Sequence, residues 1–160
     1  MRSTLFCLTH PSPVLCTLAA FDEEKRREWL TWLVQEASTP HRDTYNWAIT
    51  LRSNRLLIGW LILGRSRHAR DPGMPECGCG YALNRHYWRQ DYMPEALQAA
   101  CTYAFTVLLT RLIHAECERE NTASARVMQK CGMEYEGTMY DDDGLGNWAH
   151  RDRYVITAES

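Results

Sequence analysis

Residues 87–109, YWRQDYMPEALQAACTYAFTVLL, constrain the fold of this chain more than any other stretch. The segment opens in a polar, turn-like sequence and runs directly into a long amphipathic helix. Ala96, Leu97, Ala100, Cys101, Ala104, Phe105, Leu108 and Leu109 recur at helical spacing, so one stripe is apolar and must pack on something. Pro94 fits the first turn, where its missing N–H would be unpaired anyway. The first amides of such a helix point back into the preceding loop, and with the helix dipole they favour an anion. A strand is predicted before the loop, at 77–83, and another after the helix, at 111–117. This strand–loop–helix–strand order places the loop where a phosphate can be held. The plainer alternative is a core helix behind an ordinary loop, and periodicity does not separate the two.

The rest of the chain supplies a sheet for that helix. Asp22 caps a first helix, with Glu23 and Glu24 in its first turn and Trp29, Leu30, Leu33, Val34 and Ala37 as its apolar face. It ends near Ser38, before Pro40. Tyr45, Trp47, Ile49 and Leu51 alternate with polar or small residues, as in a strand with one wetter face. Residues 52–55 read as a hairpin turn, and 56–63 as a strand covered on both faces. Gly59 within it signals a bulge or a close backbone approach. The loop at 64–75 carries Arg65, Arg67, His68 and Arg70. It reads as a solvated face, with a phosphate contact as the alternative. Asn121 caps a short helix that Gly132 ends, and strands follow at 133–140 and 148–156 around an acidic connection. The order is helix, three antiparallel-looking strands, helix, strand, helix, two strands. The expected fold is α+β, a mixed α/β sheet domain with helices on its faces, and 1–160 form a single domain. Residues 1–21 form an atypical N-terminal segment in which Pro11 and Pro13 exclude a regular helix.

Composition removes several functions. A formal charge of −2 gives no support for nucleic-acid binding, which usually shows a concentrated basic face. No apolar run approaches the roughly 20 residues that span a bilayer, and no signal peptide is read at the N-terminus. The 7 cysteines are odd in number and several fall in predicted strands or helix cores. That suits reduced thiols in the cytoplasm. Cys77-Gly-Cys79 lacks the second pair or spaced histidines of a zinc site, so these thiols read as small buried hydrophobes and no metal is expected.

Several ordered motifs carry a resemblance. GYALNRHYW, then Tyr92-Met-x-Glu-Ala-Leu, then ENTASARVMQKCGM from Glu120 and Tyr135-Glu-Gly resemble the GNAT acetyltransferases, and among them the RimJ/RimL ribosomal-protein N-terminal acetyltransferases. The likeness runs over residues 22–156. It implies acetyl-CoA as acetyl donor and a primary amine as acceptor, either a protein N-terminus or a small amine. It also implies that the strand at 77–83 splays from that at 111–117. The pantetheine arm then lies in the gap, paired with main chain at Tyr81, Ala82 and Leu83. Backbone amides of Arg89, Gln90, Asp91, Tyr92 and Met93 would hold the pyrophosphate, with Arg85 and Arg89 nearby. Asn121 would contact the cofactor, and Ser124, one turn on, would face the thioester and protonate the leaving thiolate. The bland reading is that Asn121 only caps its helix and Ser124 is idle.

The sequence departs from this family at three places. Where the family has Trp-Gly-x-Gly-Tyr, this chain has Trp88-Arg89-Gln90-Asp91-Tyr92. Two glycines are gone, and Asp91 brings a negative charge to a phosphate site, an effect on the order of 1 kcal/mol at 4 Å in water. Many relatives carry a glutamate where this chain has Gly78; Glu76, on the same strand face, and Glu116 are the substitute bases, while His114 reads as structural. The strand and helix that usually precede the first helix are shortened or absent, which opens the acceptor side or leaves an edge for a homodimer. Asp141, Asp142 and Asp143 either attract a cationic acceptor or form a solvated turn. The competing function is a degenerate GNAT-fold module that binds CoA or a partner without turnover.

Overall fold

The computed structural model describes residues 5–7, 23–39, 42–65, 75–142 and 148–158. Among these residues seven strands and three α-helices follow in the order β1 (Leu5–Cys7), α1 (Glu23–Ala37), β2 (Thr44–Thr50), β3 (Leu57–Arg65), β4 (Glu76–Asn84), α2 (Tyr92–Thr106), β5 (Leu112–Glu118), α3 (Thr122–Lys130), β6 (Glu134–Asp142) and β7 (Trp148–Thr157). A 3-10 turn at Arg85–Tyr87 links β4 to the loop before α2. The result is the mixed, mostly antiparallel sheet expected from the sequence.

The sheet runs β2-β3-β4-β5-β7-β6, and every pairing along it is antiparallel except β4 with β5. On one face lie Cys79, Tyr81 and Leu83 of β4 with Ile113, Ala115 and Cys117 of β5. They join Met93, Leu97, Ala100, Cys101 and Ala104 of α2 and Met128 of α3 in one buried cluster. The strand period of two and the helix stripe thus converge on a single core. Tyr45, Trp47, Ile49 and Leu51 pack against it from β2 and the turn that follows, as their alternation requires.

Gly59 is a close approach. A Cβ there would lie 2.4 Å from the Ala82 carbonyl oxygen, so only glycine lets β3 and β4 pair at this point. A register shift opposite it, between Ile49 and Thr50, supplies the bulge.

Three expectations need correction. On α1 only Trp29 and Leu33 of the named apolar face are half-buried; Leu30 and Val34 are exposed, because Trp29, edge-on to Trp60, sets the side that meets the sheet. Helix α2 ends at Thr106, so Leu108 and Leu109 lie beyond it. Leu109 takes a left-handed φ of 55° and is exposed, since the chain must turn there to enter β5. Asp141 and Asp142 belong to β6 and not to a loop. Arg67, His68, Arg70 and Asp143 lie outside the described residues. Among the described residues no helix is long and apolar enough to cross a membrane.

Candidate active site

Strands β4 and β5 pair over a short length and then part. Glu76, Cys77 and Gly78 stand opposite Leu112, Ile113 and His114 in parallel register. Beyond that point β4 runs on to Asn84 and β5 to Glu118, and among the described residues β5 then pairs with β7 alone. Past Gly78 this edge of β4 runs on to the 3-10 turn and the start of α2, with β1 paired to its last residues, Ala82 to Asn84. This is the splay that the resemblance implies.

Between the 3-10 turn and α2 the backbone makes a tight turn. Arg89 and Asp91 take φ values of 60° and 58°, the left-handed conformation that glycine adopts freely. The main chain has therefore kept a glycine-type turn without glycine. Asp91 is the N-cap of α2 and forms no side-chain cap bond. Its carboxylate is held instead by Lys130, which reaches across from the end of α3. The first-turn amides are left without a side-chain cap, and the charge of Asp91 is neutralised. Lys130 is a residue that sequence reasoning missed; its distance from Asp91 in the chain hides the pairing. Arg85 and Arg89 are exposed at the same turn. Gln90 Nε2 donates to the His86 carbonyl at 3.0 Å and braces the loop. Tyr92 meets Tyr87 edge-on at 6.2 Å, while Met93 is buried and can offer only its amide.

The floor of the gap joins both strands. Asn121 Oδ1 accepts from the Ser124 amide at 3.2 Å, so Asn121 does cap α3. Ser124 is fully buried, with its Oγ 3.0 Å from the Tyr81 hydroxyl of β4. The Tyr81 hydroxyl also donates to the Ser124 carbonyl at 3.2 Å. Burial pushes the Tyr81 phenol well above its ordinary range, against the opposing Ser124 hydrogen bond. Burial also lifts the Cys117 thiol of β5 to about 11, with Asp152 adding to it and a bond from Ser124 opposing. Ser124 thus touches a residue from each of the two parting strands.

The opposite sheet face holds a buried charge network. Arg153 of β7 binds Glu76 through Nη2, Glu116 through Nη1 at 3.4 Å and Glu136 through Nε at 3.0 Å. His114 lies between the two candidate bases, its Nδ1 3.4 Å from Glu116 and its Nε2 3.9 Å from Glu76. Glu76, His114, Glu116 and Arg153 are all buried. Glu116 follows His114 on the part of β5 that has left β4, whereas Glu76 lies where the strands are still paired. The structure therefore brings both predicted carboxylates together. It adds Arg153 and Glu136, which cross-strand register alone reveals.

An acetyltransferase (GNAT) domain profile matches residues 9–134. The chain belongs to the GNAT acetyltransferase family. This member is 37% identical over 114 residues to the uncharacterized N-acetyltransferase YnaD of Bacillus subtilis, a stretch covering 69% of the chain and 63% of the relative. It spans less than two thirds of the length of the curated relatives it matches. Its fold is similar to that of a GNAT-family acetyltransferase from Bacillus anthracis, with TM-score 0.70, 27% identity and coverage of 88% and 77% of the two chains. It is also similar to Mycobacterium smegmatis RimJ in complex with CoA-disulfide, with TM-score 0.68 over 82% and 61% of the chains; at 24% identity this likeness concerns the fold alone.

Proposed function

We propose that this chain transfers the acetyl group of acetyl-CoA to a primary amine, on a protein N-terminus or a small molecule. The observation that carries this reading is the parted β4–β5 edge, which ends at a helix start and has Ser124 at its floor. In this reading the pantetheine arm lies along Tyr81, Ala82 and Leu83. The pyrophosphate meets the amides of Arg89 to Met93, with Arg85 and Arg89 as counter-charges, and Asn121 flanks it. Lys130 keeps the Asp91 carboxylate from repelling it.

The acceptor approaches on the face that carries Glu116. Its ammonium proton passes to Glu116, directly or through water, and the neutral amine attacks the thioester carbonyl. The C–N bond forms and the C–S bond breaks. Ser124 gives its proton to the leaving thiolate, the second amine proton leaves the nitrogen and restores the Ser124 hydroxyl through solvent, and the Tyr81 hydroxyl stands behind it. Burial keeps Tyr81 protonated well into alkaline pH, so it remains able to donate. Glu76, bound by Arg153, serves more indirectly by fixing the network. The aspartates ending β6 favour a cationic acceptor. Exposed Leu30 and Val34, one turn apart on α1, offer an apolar face for a homodimer, which sedimentation velocity would detect. Free, buried thiols suit a cytoplasmic setting.

Calorimetric titration with acetyl-CoA, followed by thiol release against a panel of peptides and polyamines, tests this reading. Micromolar binding with turnover, and a lower kcat but unchanged Kd in Ser124→Ala, are expected. Absence of binding up to millimolar donor would overturn it. A second reading, binding without turnover, is favoured by Arg89 and Asp91 standing where relatives have glycine; binding with no product for any amine would establish it.

A further inference from the structure

The groove edge of β4 already has an occupant. Strand β1 pairs antiparallel with the end of β4, placing Leu5 opposite Asn84, Phe6 opposite Leu83 and Cys7 opposite Ala82. A strand has two edges. One edge of β4 is taken by β3 from Cys77 to Leu83, and the other by β5 only from Glu76 to Gly78. β1 must therefore lie on the edge that β5 has left, inside the splay.

Backbone alternation identifies the groups concerned. The Ala82 carbonyl lies so close to the Gly59 position that it must face β3. The amide and carbonyl of Leu83 then face the other edge. Trp88 Nε1 donates to that Leu83 carbonyl at 2.9 Å from the α2 side. Phe6, opposite Leu83, is the β1 residue whose backbone meets these groups. Parting β5 from β4 would otherwise leave buried main-chain donors and acceptors without partners, and an extended segment satisfies them by adding a strand.

We propose that β1 is a built-in competitor for the donor groove: Leu5–Cys7 and the pantetheine arm of CoA take the same β4 edge at Ala82 and Leu83, so donor binding requires β1 to leave. This rests on the donor reading given above. The occupant is tethered, so its local concentration does not depend on protein concentration, and free CoA must outcompete it. The apparent Kd is then the intrinsic Kd divided by the fraction of molecules with the groove open. A groove closed about ten times as often as open raises the apparent Kd about tenfold.

Phe6→Pro tests this in the full chain. Proline has no N–H and cannot donate to the Leu83 carbonyl, while the rest of β1 is unchanged. Leu5→Pro is the control, because the Leu5 amide faces away from β4 in the same alternation. Calorimetric titration with CoA should give a Kd about tenfold tighter in Phe6→Pro than in the natural chain, with Leu5→Pro close to the latter. Amide hydrogen exchange gives an independent readout. The Leu83 amide should be protected in the ligand-free natural chain and exchange at least tenfold faster in Phe6→Pro, while the Ala82 amide, which faces β3, stays protected in both. Equal CoA affinity in the natural chain and Phe6→Pro, with micromolar binding in each, would overturn the competitor and leave the donor site standing. No CoA binding by either protein up to millimolar would overturn both.

Discussion

Arg89 and Asp91 show how a local rule can be broken in side chain and kept in backbone. Both hold positive φ, which costs a non-glycine residue about 1–2 kcal/mol, with Asp at the lower end. Arg89→Gly/Asp91→Gly should therefore raise the unfolding free energy by about 1–2 kcal/mol. Asp91→Gly alone, which keeps Arg89, should also tighten CoA binding several-fold, because Lys130 loses its carboxylate and faces the phosphates instead. The gain should shrink with added salt, as expected of an exposed charge. Urea unfolding and calorimetry at two ionic strengths would check this. A looser CoA complex in Asp91→Gly would mean that the Asp91 side chain itself holds the donor. The sequence made the loss of the glycines plain, but not its compensation, because Lys130 and Asp91 are far apart in the chain. The thiols were more legible: Cys101, Cys117 and Cys131 are buried, and burial lifts them to about 12, about 11 and about 11. An unfolded thiol ionises near 9, so above that pH the unfolded chain sheds protons that the native state keeps. Their stabilising contribution is complete below pH ~9 and fades as pH rises toward 11. The urea midpoint should fall across that window, with a shallower slope in Cys117→Ala.

The second strand pair of the sheet carries the element-scale constraint. Gly59 was readable as a close approach because a glycine inside an apolar strand has few other uses. Which backbone it approaches required the register. Gly59→Ala would put a methyl 2.4 Å from the Ala82 carbonyl, and backbone on both sides can yield only by moving β3 from β4. We expect a loss of about 1–3 kcal/mol in stability. CoA affinity should fall too, because Ala82 and Leu83 border the groove; an unchanged Kd would show that the groove edge is set elsewhere. The helices were legible to different degrees. The stripe of α2 from Leu97 to Ala104 is buried as its spacing demands, but periodicity overran the end by including Leu108 and Leu109. On α1 five apolar positions suggested a wide buried face, yet a helix on the sheet's open side buries only the row that meets it, Trp29 and Leu33. Hydrophobic spacing reports which residues share a face, not how much of that face finds a partner.

At the scale of the whole molecule the sheet is two halves joined at a short seam. Among the described residues the strand pairing between β2-β3-β4 and β5-β7-β6 is limited to Glu76–Gly78 opposite Leu112–His114. The Glu76–Arg153 ion pair spans that seam, linking the first half to the second across β5. Sequence order gave the halves; the link was hidden because its partners lie on strands adjacent to β5 from opposite sides. This distinguishes the two candidate bases. Glu76 is bound at the closed seam and Glu116 stands just past it, on the strand that lines the opening. If Glu116 takes the ammonium proton, Glu116→Gln should lower kcat by about 10²–10⁴-fold and remove the limb of the pH–rate profile due to the base. Glu76→Gln should keep that limb and cost less than about tenfold, since an amide still occupies the place beside Arg153. Arg153→Met is the structural counterpart. It removes the arginine from three carboxylates, two of them buried, and should cost about 3–5 kcal/mol of stability. Circular dichroism would confirm that the two glutamine variants remain folded before rates are compared. A profile flattened by Glu76→Gln and unchanged by Glu116→Gln would reverse the assignment and place proton removal at the seam.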